Sequence, residues 1–237
     1  MATPTIEEIT TGGIGSSNTE VTVAGHAAVD AGDVYVLNIT MDGLGETFTP
    51  HVDWTELAEQ AVGDNIGWVG YLRLDGTEDG ASWVFTLSSN ETSVWALIRM
   101  SGSHATSDPE VDTYANGTST AANPTSVTAT WGSDTNLFIA TATLNLLAFS
   151  GGPSGYINFT ELDSSTMGAS GPCAVAIATK AATAAADDAG AFTNGNEDWH
   201  AITVVVRPAA AGGADQEPSL VGGKLVGPGV LQRHLVH

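Results

Sequence analysis

The chain repeats itself. V-T-V-A-G at residues 21–25 leads into D-V-Y-V-L-N-I-T from Asp33, and T-P-H-V-D-W-T-E-L follows over residues 49–57. A strand and a loop come next, then F-T-L-S-S-N-E-T-S-V-W-A-L-I-R-M-S-G, which ends at Gly102. The second half begins V-T-A-T-W at Val127 and continues D-T-N-L-F-I-A-T-A-T-L from Asp134 and G-P-S-G-Y-I-N-F-T-E-L over residues 152–162. It closes on F-T-N-G-N-E-D-W-H-A-I-T-V-V-V-R-P, ending at Pro208. The order is the same twice: strand, loop ending in W-T-E-L or F-T-E-L, strand, hairpin, Trp-led strand. Self-similarity of this length predicts two copies of one supersecondary unit.

Each unit reads as β. The runs 33–40, 67–74, 83–87, 94–100, 127–131, 137–144, 173–180 and 201–207 are short, rich in β-branched and aromatic residues, and bounded by turn residues. D-G-T-E-D-G at residues 75–80 reads as a hairpin loop. Helical signal is confined to residues 55–62 and 181–186, read as a short turn and a loop. Four or five strands bury one face poorly alone. The expected fold is therefore all-β, with two related repeats packed as a β-sandwich or jelly roll and extended termini. The boundaries follow: an N-terminal arm over 1–20, repeat 1 over 21–102, a linker over 103–124, repeat 2 over 125–208, and a C-terminal arm over 209–237.

Charge narrows the partners. There are 27 Asp and Glu against 6 Lys and Arg, a formal charge of −21. Such a body repels nucleic acid and anionic membrane, so neither is an expected partner. No run reaches the ~20 apolar residues of a membrane span, and the first residues read as no secretion signal. With Cys173 as the single cysteine, no internal disulfide forms.

The C-terminal arm has a different character. Every acidic residue precedes Pro218, and both Lys224 and Arg233 follow it. Apolar pairs recur every five residues: Leu220-Val221, Leu225-Val226, Val230-Leu231 and Leu235-Val236. That spacing matches neither helix nor strand. An apolar, basic arm behind an Ala/Gly linker reads as a segment that docks on another chain.

At this point a resemblance enters. N-P-T-S-V-T at residues 123–128, the strand 137–144, Gly155-Tyr156, F-T-E-L at 159–162, the Ala-rich run 174–182 and W-H-A-I-T-V-V-V-R-P at 199–208 resemble a module of bacteriophage virion proteins and some bacterial surface proteins. The first half, ending I-R-M-S-G, is similar to the upstream copy in such proteins. The likeness covers most of residues 21–208. It implies a β-sandwich used in virion decoration, fibres or tail parts, and it carries over no functional residue.

Candidate chemistry is sparse. No G-x-S-x-G elbow occurs, and Cys173 sits among small apolar residues as a buried thiol. His51 with Asp53, and Asp198 with His200, are half-sites for a metal at best, and H-E-x-x-H is absent. Asp75, Glu78 and Asp79 lack the EF-hand pattern and read as a solvated turn. Glu56 and Glu161 occupy matching repeat positions, which points to a shared structural role rather than a glycosidase pair. Five tryptophans fall in or beside strands and read as core. Trp54, after a polar loop, is the candidate for stacking on a glycan. The residues yield no enzyme, no cofactor and no metal site.

The expectation is a phage virion structural protein, a capsid decoration or cement protein on the particle exterior. Its partners would be the major capsid protein or neighbouring subunits, held as a symmetric homo-oligomer, a trimer by working assumption. A tail or head fibre binding host glycan is the alternative, and a glycan-active enzyme stands behind it.

Overall fold

The computed structural model of the chain describes residues 3–43, 45–146, 148–167 and 171–210, with backbone only for residues 16–17, 220–221 and 224–225. The first half holds β1 (Thr5–Ala24), β2 (Val34–Asp42), β3 (Phe48–Thr49), β4 (Thr55–Val62), β5 (Asn65–Arg73) and β6 (Ser82–Ser101). They form one antiparallel sheet in the order β1-β6-β2-β5-β4, with β3 on β6. The second half holds β7 (Glu110–Val111), β8 (Ala115–Gly117), β9 (Ala121–Ala122), β10 (Val127–Thr128), β11 (Thr135–Asn145), β12 (Phe149–Gly151) and β13 (Ile157–Asp163). It continues with β14 (Cys173–Thr183), β15 (Ala186–Asp187), β16 (Phe192–Asn194) and β17 (Trp199–Val206). Its main sheet runs β13-β14-β11-β17-β7, with β8 on β17. No α-helix occurs among the described residues.

The strand order β6-β2-β5-β4 of the first sheet is matched by β17-β11-β14-β13 in the second. The two sheets pack face to face, and their contacts are matched as well. β2 lies on β11. β6 lies on β14, as β17 lies on β5, and β13 lies on β6 and β1, as β4 lies on β17 and β7. The fold is thus an all-β sandwich whose two sheets meet in an approximately two-fold manner.

Both sheets are covered on their outer faces too. Between them lie Val34, Val36, Val69, Ile98 and Met100 against Leu137, Ile139, Val175, Ile177, Ile202 and Val204. Outside the first sheet, the far halves of β1 and β6 bend back and bring Val21, Val23, Trp83 and Phe85 onto Tyr35, Leu37, Ile39 and Trp68. Register shifts between Ile14 and Glu20 of β1 make that bend. Outside the second sheet, β9, β12 and β16 lay Ala122, Phe149 and Phe192 over the alanines of β11 and β14. Coverage on both faces is why β2, β11, β14 and β17 read as continuous apolar runs rather than alternating ones. Each fully buried Val, Leu or Ile contributes roughly 1.5–3 kcal/mol.

Several expectations change. Residues 5–20 are no arm: β1 pairs with β6 from Thr5 to Ala24. The first part of this strand is rich in Thr and Gly, with Ile6, Ile9 and Ile14 too widely spaced to read as a strand, and its glycines are there to fit β6. A Cβ on Gly12 would strike the Trp95 ring. Residues 55–62 are strand β4 rather than a turn, because the whole segment pairs with β5. The run 181–186 likewise begins as the end of β14, not as a loop. Residues 83–87 and 94–100 belong to a single strand, β6. The turn at residues 75–80 is not a hairpin, since β5 and β6 are separated by β2 and the turn instead carries the chain into the outer layer. The body also extends past residue 208: Pro208 bridges to Ser103, and the Ala209 N–H donates to the Gly102 carbonyl over 2.7 Å.

Candidate functional site: the polar seam between the sheets

The inward face of β2 reads Val34, Val36, Asn38, Thr40, and that of β11 reads Leu137, Ile139, Thr141, Thr143. Both strands turn from aliphatic to polar halfway along, so the inter-sheet core is greasy at one end and hydrogen-bonded at the other. Asn38 Nδ2 donates to Thr141 Oγ1 across the boundary, and Thr141 Oγ1 donates to the Ala176 carbonyl over 3.1 Å. Asn65 Oδ1 accepts from Thr40 Oγ1 at 3.0 Å and from Thr143 Oγ1 at 3.2 Å. His200 Nε2 donates to the Asn65 backbone carbonyl over 2.9 Å. One asparagine of the first sheet thus gathers two residues of the second.

The seam is not fully satisfied. Asn38 Oδ1, Asn65 Nδ2, Tyr114 Oη and His200 Nδ1 are buried with no hydrogen-bond partner among the described residues. Tyr114, between β7 and β8, sets its ring edge-on to His200 at 5.9 Å between centroids. Gly67 leaves space here: a Cβ at this position would lie 3.1 Å from Thr143 Oγ1 and 3.6 Å from Tyr114 Oη. Burial pushes the Tyr114 phenol far above its ordinary range. Burial also holds His200 below the ordinary imidazole range, against smaller upward pulls from the bond to Asn65 and from Asp198. Cys173 closes the seam, fully buried, with Sγ 3.7 Å from the Thr92 carbonyl and its thiol pushed up to about 12 by desolvation. A thiol in that state is unreactive at neutral pH.

The residues singled out in the sequence do not converge. Trp54 is 6% exposed, wedged among Tyr35, Trp68, Trp83 and Phe85, so the expected glycan contact is a core residue. The loop before it is polar, but β3 and the bent β1–β6 ladder cover the ring. Phe159, the residue the sequence sets beside it in F-T-E-L, is the more exposed of the two, resting on Phe192 at 6.4 Å. Glu56 accepts from Trp68 Nε1 at 2.9 Å. Glu161 has no such indole, because Ala174 and Ala176 take the neighbouring places in β14; its Oε2 is buried and unpartnered, and desolvation followed by repulsion from Asp163 raises its carboxyl. β4 and β13 stand at opposite margins of the packed sheets, so these two glutamates line no common cleft.

The metal half-sites do not assemble. His51 and Asp53 pair only with each other, at 3.4 Å on the surface. His200 is committed to Asn65 inside. No group of three ligating side chains occurs among the described residues. Asp75 accepts from Thr77 N and Oγ1 at 2.9 and 2.7 Å, which lowers its carboxyl, and Glu78 caps the N–H groups of Asp75 and Gly76. Those carboxylates are spent on the turn.

The basic side chains of the described body are all engaged. Arg73 pairs with Asp108, Arg99 with Asp33, Lys180 with Asp187 and Arg207 with Asp134. Arg73 also donates to the carbonyls of His104 and Ser107, and Arg207 to Ser107 Oγ, so arginines from both sheets hold the 102–109 connection.

The docking residues expected in the arm lie outside the described residues: Val226, Val230, Leu231, Arg233, Leu235 and Val236 in full, and the side chains of Leu220, Val221, Lys224 and Leu225. The backbone pairs Leu220 with Leu225 and Val221 with Lys224, as β18 (Leu220–Val221) and β19 (Lys224–Leu225). No protein-family model matches the chain, and neither the curated proteins nor the solved structures contain a match.

Proposed function

We propose that this chain is a structural protein of a bacteriophage particle, a decoration or cement protein that presents an acidic β-sandwich outward and attaches through its C-terminal arm. The observation that carries the reading is the segregation of charge. Each of the four basic side chains of the body is tied to its own carboxylate, which leaves a surface dominated by unpaired acids, while Lys224 and Arg233 lie on a separate apolar segment. An acidic body stays soluble and keeps clear of packaged nucleic acid. An apolar, basic arm supplies anchors for pockets and acidic surface on a neighbour. Repetition on a symmetric shell, with the protein itself a symmetric oligomer such as a trimer, turns weak contacts into avidity. The matching strand order of the two sheets supports the duplicated unit read in the sequence, and the resemblance to virion modules supports the same assignment.

The test is removal of residues 211–237, a cut that spares the Ala209–Gly102 bond. Co-sedimentation with purified particles of the parent phage is compared for full-length and cut protein, with circular dichroism as the check on folding. A folded but non-binding body supports arm-mediated decoration. Undiminished binding refutes the arm's role, and failure of both forms to bind refutes the virion assignment.

A further inference from the structure

The seam has a feature that cement function does not require: its cross-sheet bond is made by the one side-chain type that gains a proton in mildly acidic water. Among the described residues there is no group of metal ligands, and all four basic side chains are paired; of the two buried histidines His26 is held within the first half by Thr10, so His200, the one that joins the two sheets, is the strongest unexplained group.

Its geometry is one-sided. Facing a carbonyl, Nε2 must carry the hydrogen, so Nδ1 is the bare nitrogen and it is buried without a partner. A second proton would create a charged N–H with nothing to donate to, inside a residue that is 0% exposed. The charged and titratable groups facing it are few. Asp198, just ahead of the same strand, favours the proton; Tyr114, from the β7–β8 connection, remains a neutral phenol and supplies no anion, and the Glu59 and Glu56 carboxylates of β4 act on Tyr114. Asn65 and Gly67 on β5 and Thr143 on β11 carry no charge. The other contacts at this end, Asn38 to Thr141 and Asn65 to Thr143, are single hydrogen bonds already shared with unpartnered atoms. Outside the seam, each sheet has its own separate core, built from Trp54, Trp68, Trp83 and Phe85 on one side and Phe149 and Phe192 on the other.

We propose that the polar end of the inter-sheet boundary is an acid-released latch: once His200 is protonated, its Nδ1–H has no partner in the closed seam, and the cost of that buried charge drives the ring away from Asn65 to water and parts the two sheets there, while the outer cores stay formed. The inference goes beyond the virion reading and does not depend on it.

Cys173, the single cysteine, sits in the seam and reports its opening. The rate of its reaction with a pyridyl disulfide is measured on the full chain from pH 7.5 to 4.5, divided at each pH by the rate of a free thiol. The expected result is a normalised rate that is flat above pH 6.5 and rises below it by up to about tenfold per pH unit, the limit for one proton. Tryptophan fluorescence from the outer core stays unchanged over the same range. In His200→Gln the amide keeps a donor for Asn65 but has no titration, and the rise disappears. A wild-type rate that stays flat, a rise that persists in H200Q, or a rise accompanied by loss of the tryptophan signal overturns the latch. If H200Q does not fold, the NMR titration of the His200 imidazole in the wild type decides: exposure of Cys173 must follow its protonation, and exposure while the ring is neutral overturns the proposal.

Discussion

Thr143 of the second sheet donates its hydroxyl to Oδ1 of Asn65 in the first, over 3.2 Å, and Thr40 donates to the same oxygen from the other side. Asn65→Ala leaves the buried Thr143 hydroxyl without its acceptor, while Thr40 keeps the Ile66 carbonyl at 2.9 Å, and it also empties the space of a buried amide. One unmade buried bond costs roughly 1–3 kcal/mol and the truncation adds to it, so a loss of about 2–4 kcal/mol is expected. Thr143→Val removes one donor and keeps the shape, and should cost only about 1 kcal/mol. Urea denaturation of both variants, followed by circular dichroism, checks the ratio; equal losses would show that Asn65 does not organise the seam.

Trp54 provides a second prediction. Its ring is packed by four aromatic neighbours, but its Nε1 is buried with no partner among the described residues. Trp54→Ala should therefore destabilise by about 3–5 kcal/mol, whereas Trp54→Phe gives up volume but also relieves the orphaned donor, and should cost far less. Thermal unfolding of the two variants separates packing from hydrogen bonding at this site.

The matched glutamates should respond in opposite directions. Glu56→Gln weakens a charge-assisted bond from the Trp68 indole and is expected to lower stability at pH 7 by roughly 1 kcal/mol. Glu161 has a raised carboxyl, so its favourable neutral form is present below the unfolded pKa and lost as pH rises through the folded one. Glu161→Gln should then be more stable than wild type at pH 7 and indistinguishable from it near pH 4. A difference that persists at pH 4 would mean the effect is not ionisation.

Acid acts on the whole body with two signs. His26 and His200 are both held low by burial, so stability is intact above the unfolded imidazole value of about 6.5 and falls as pH drops through it. Asp33, Asp42, Glu59 and Glu161 are all held high, chiefly by burial, and their protonation at lower pH works the other way. The thermal midpoint should be level from pH 8 to about 6.5, fall, and then flatten as the carboxyls take up protons. A midpoint that rises steadily from pH 7 downward would show that the histidines carry no penalty.

In each sheet a glycine of the outermost pairing strand lies opposite a tryptophan: Gly12 across from Trp95, and Gly117 across from Trp199. A Cβ on Gly117 would stand 2.7 Å from the Trp199 ring, so Gly117→Ala must displace an indole that is nearly buried. The expected loss is about 1–3 kcal/mol by overpacking. Calorimetry on Gly117→Ala checks it, with Gly132→Ala, which has a positive φ of 90° and open space, as a comparison limited to backbone strain.

The sequence by itself determined the β class and the burial of Cys173, because period, turn residues and a run of small apolar neighbours are local properties of the chain. It also held a trace of the seam, since both Val34–Thr40 and Leu137–Thr143 run from aliphatic to polar on one face, but that pattern has meaning only once the two faces are known to meet. Tertiary structure decided the rest. The first part of β1 was hidden because Thr and Gly dilute its three isoleucines and its register is set by fit to Trp95 and β6. Trp54 follows a polar loop yet lies in the core, because the bent pair β1 and β6, each more than twenty residues away in the chain, closes over it. His200 became a cross-sheet donor through Asn65, which is 135 residues away. A contact over that separation depends on how the sheets pack, and no local pattern of residues encodes it.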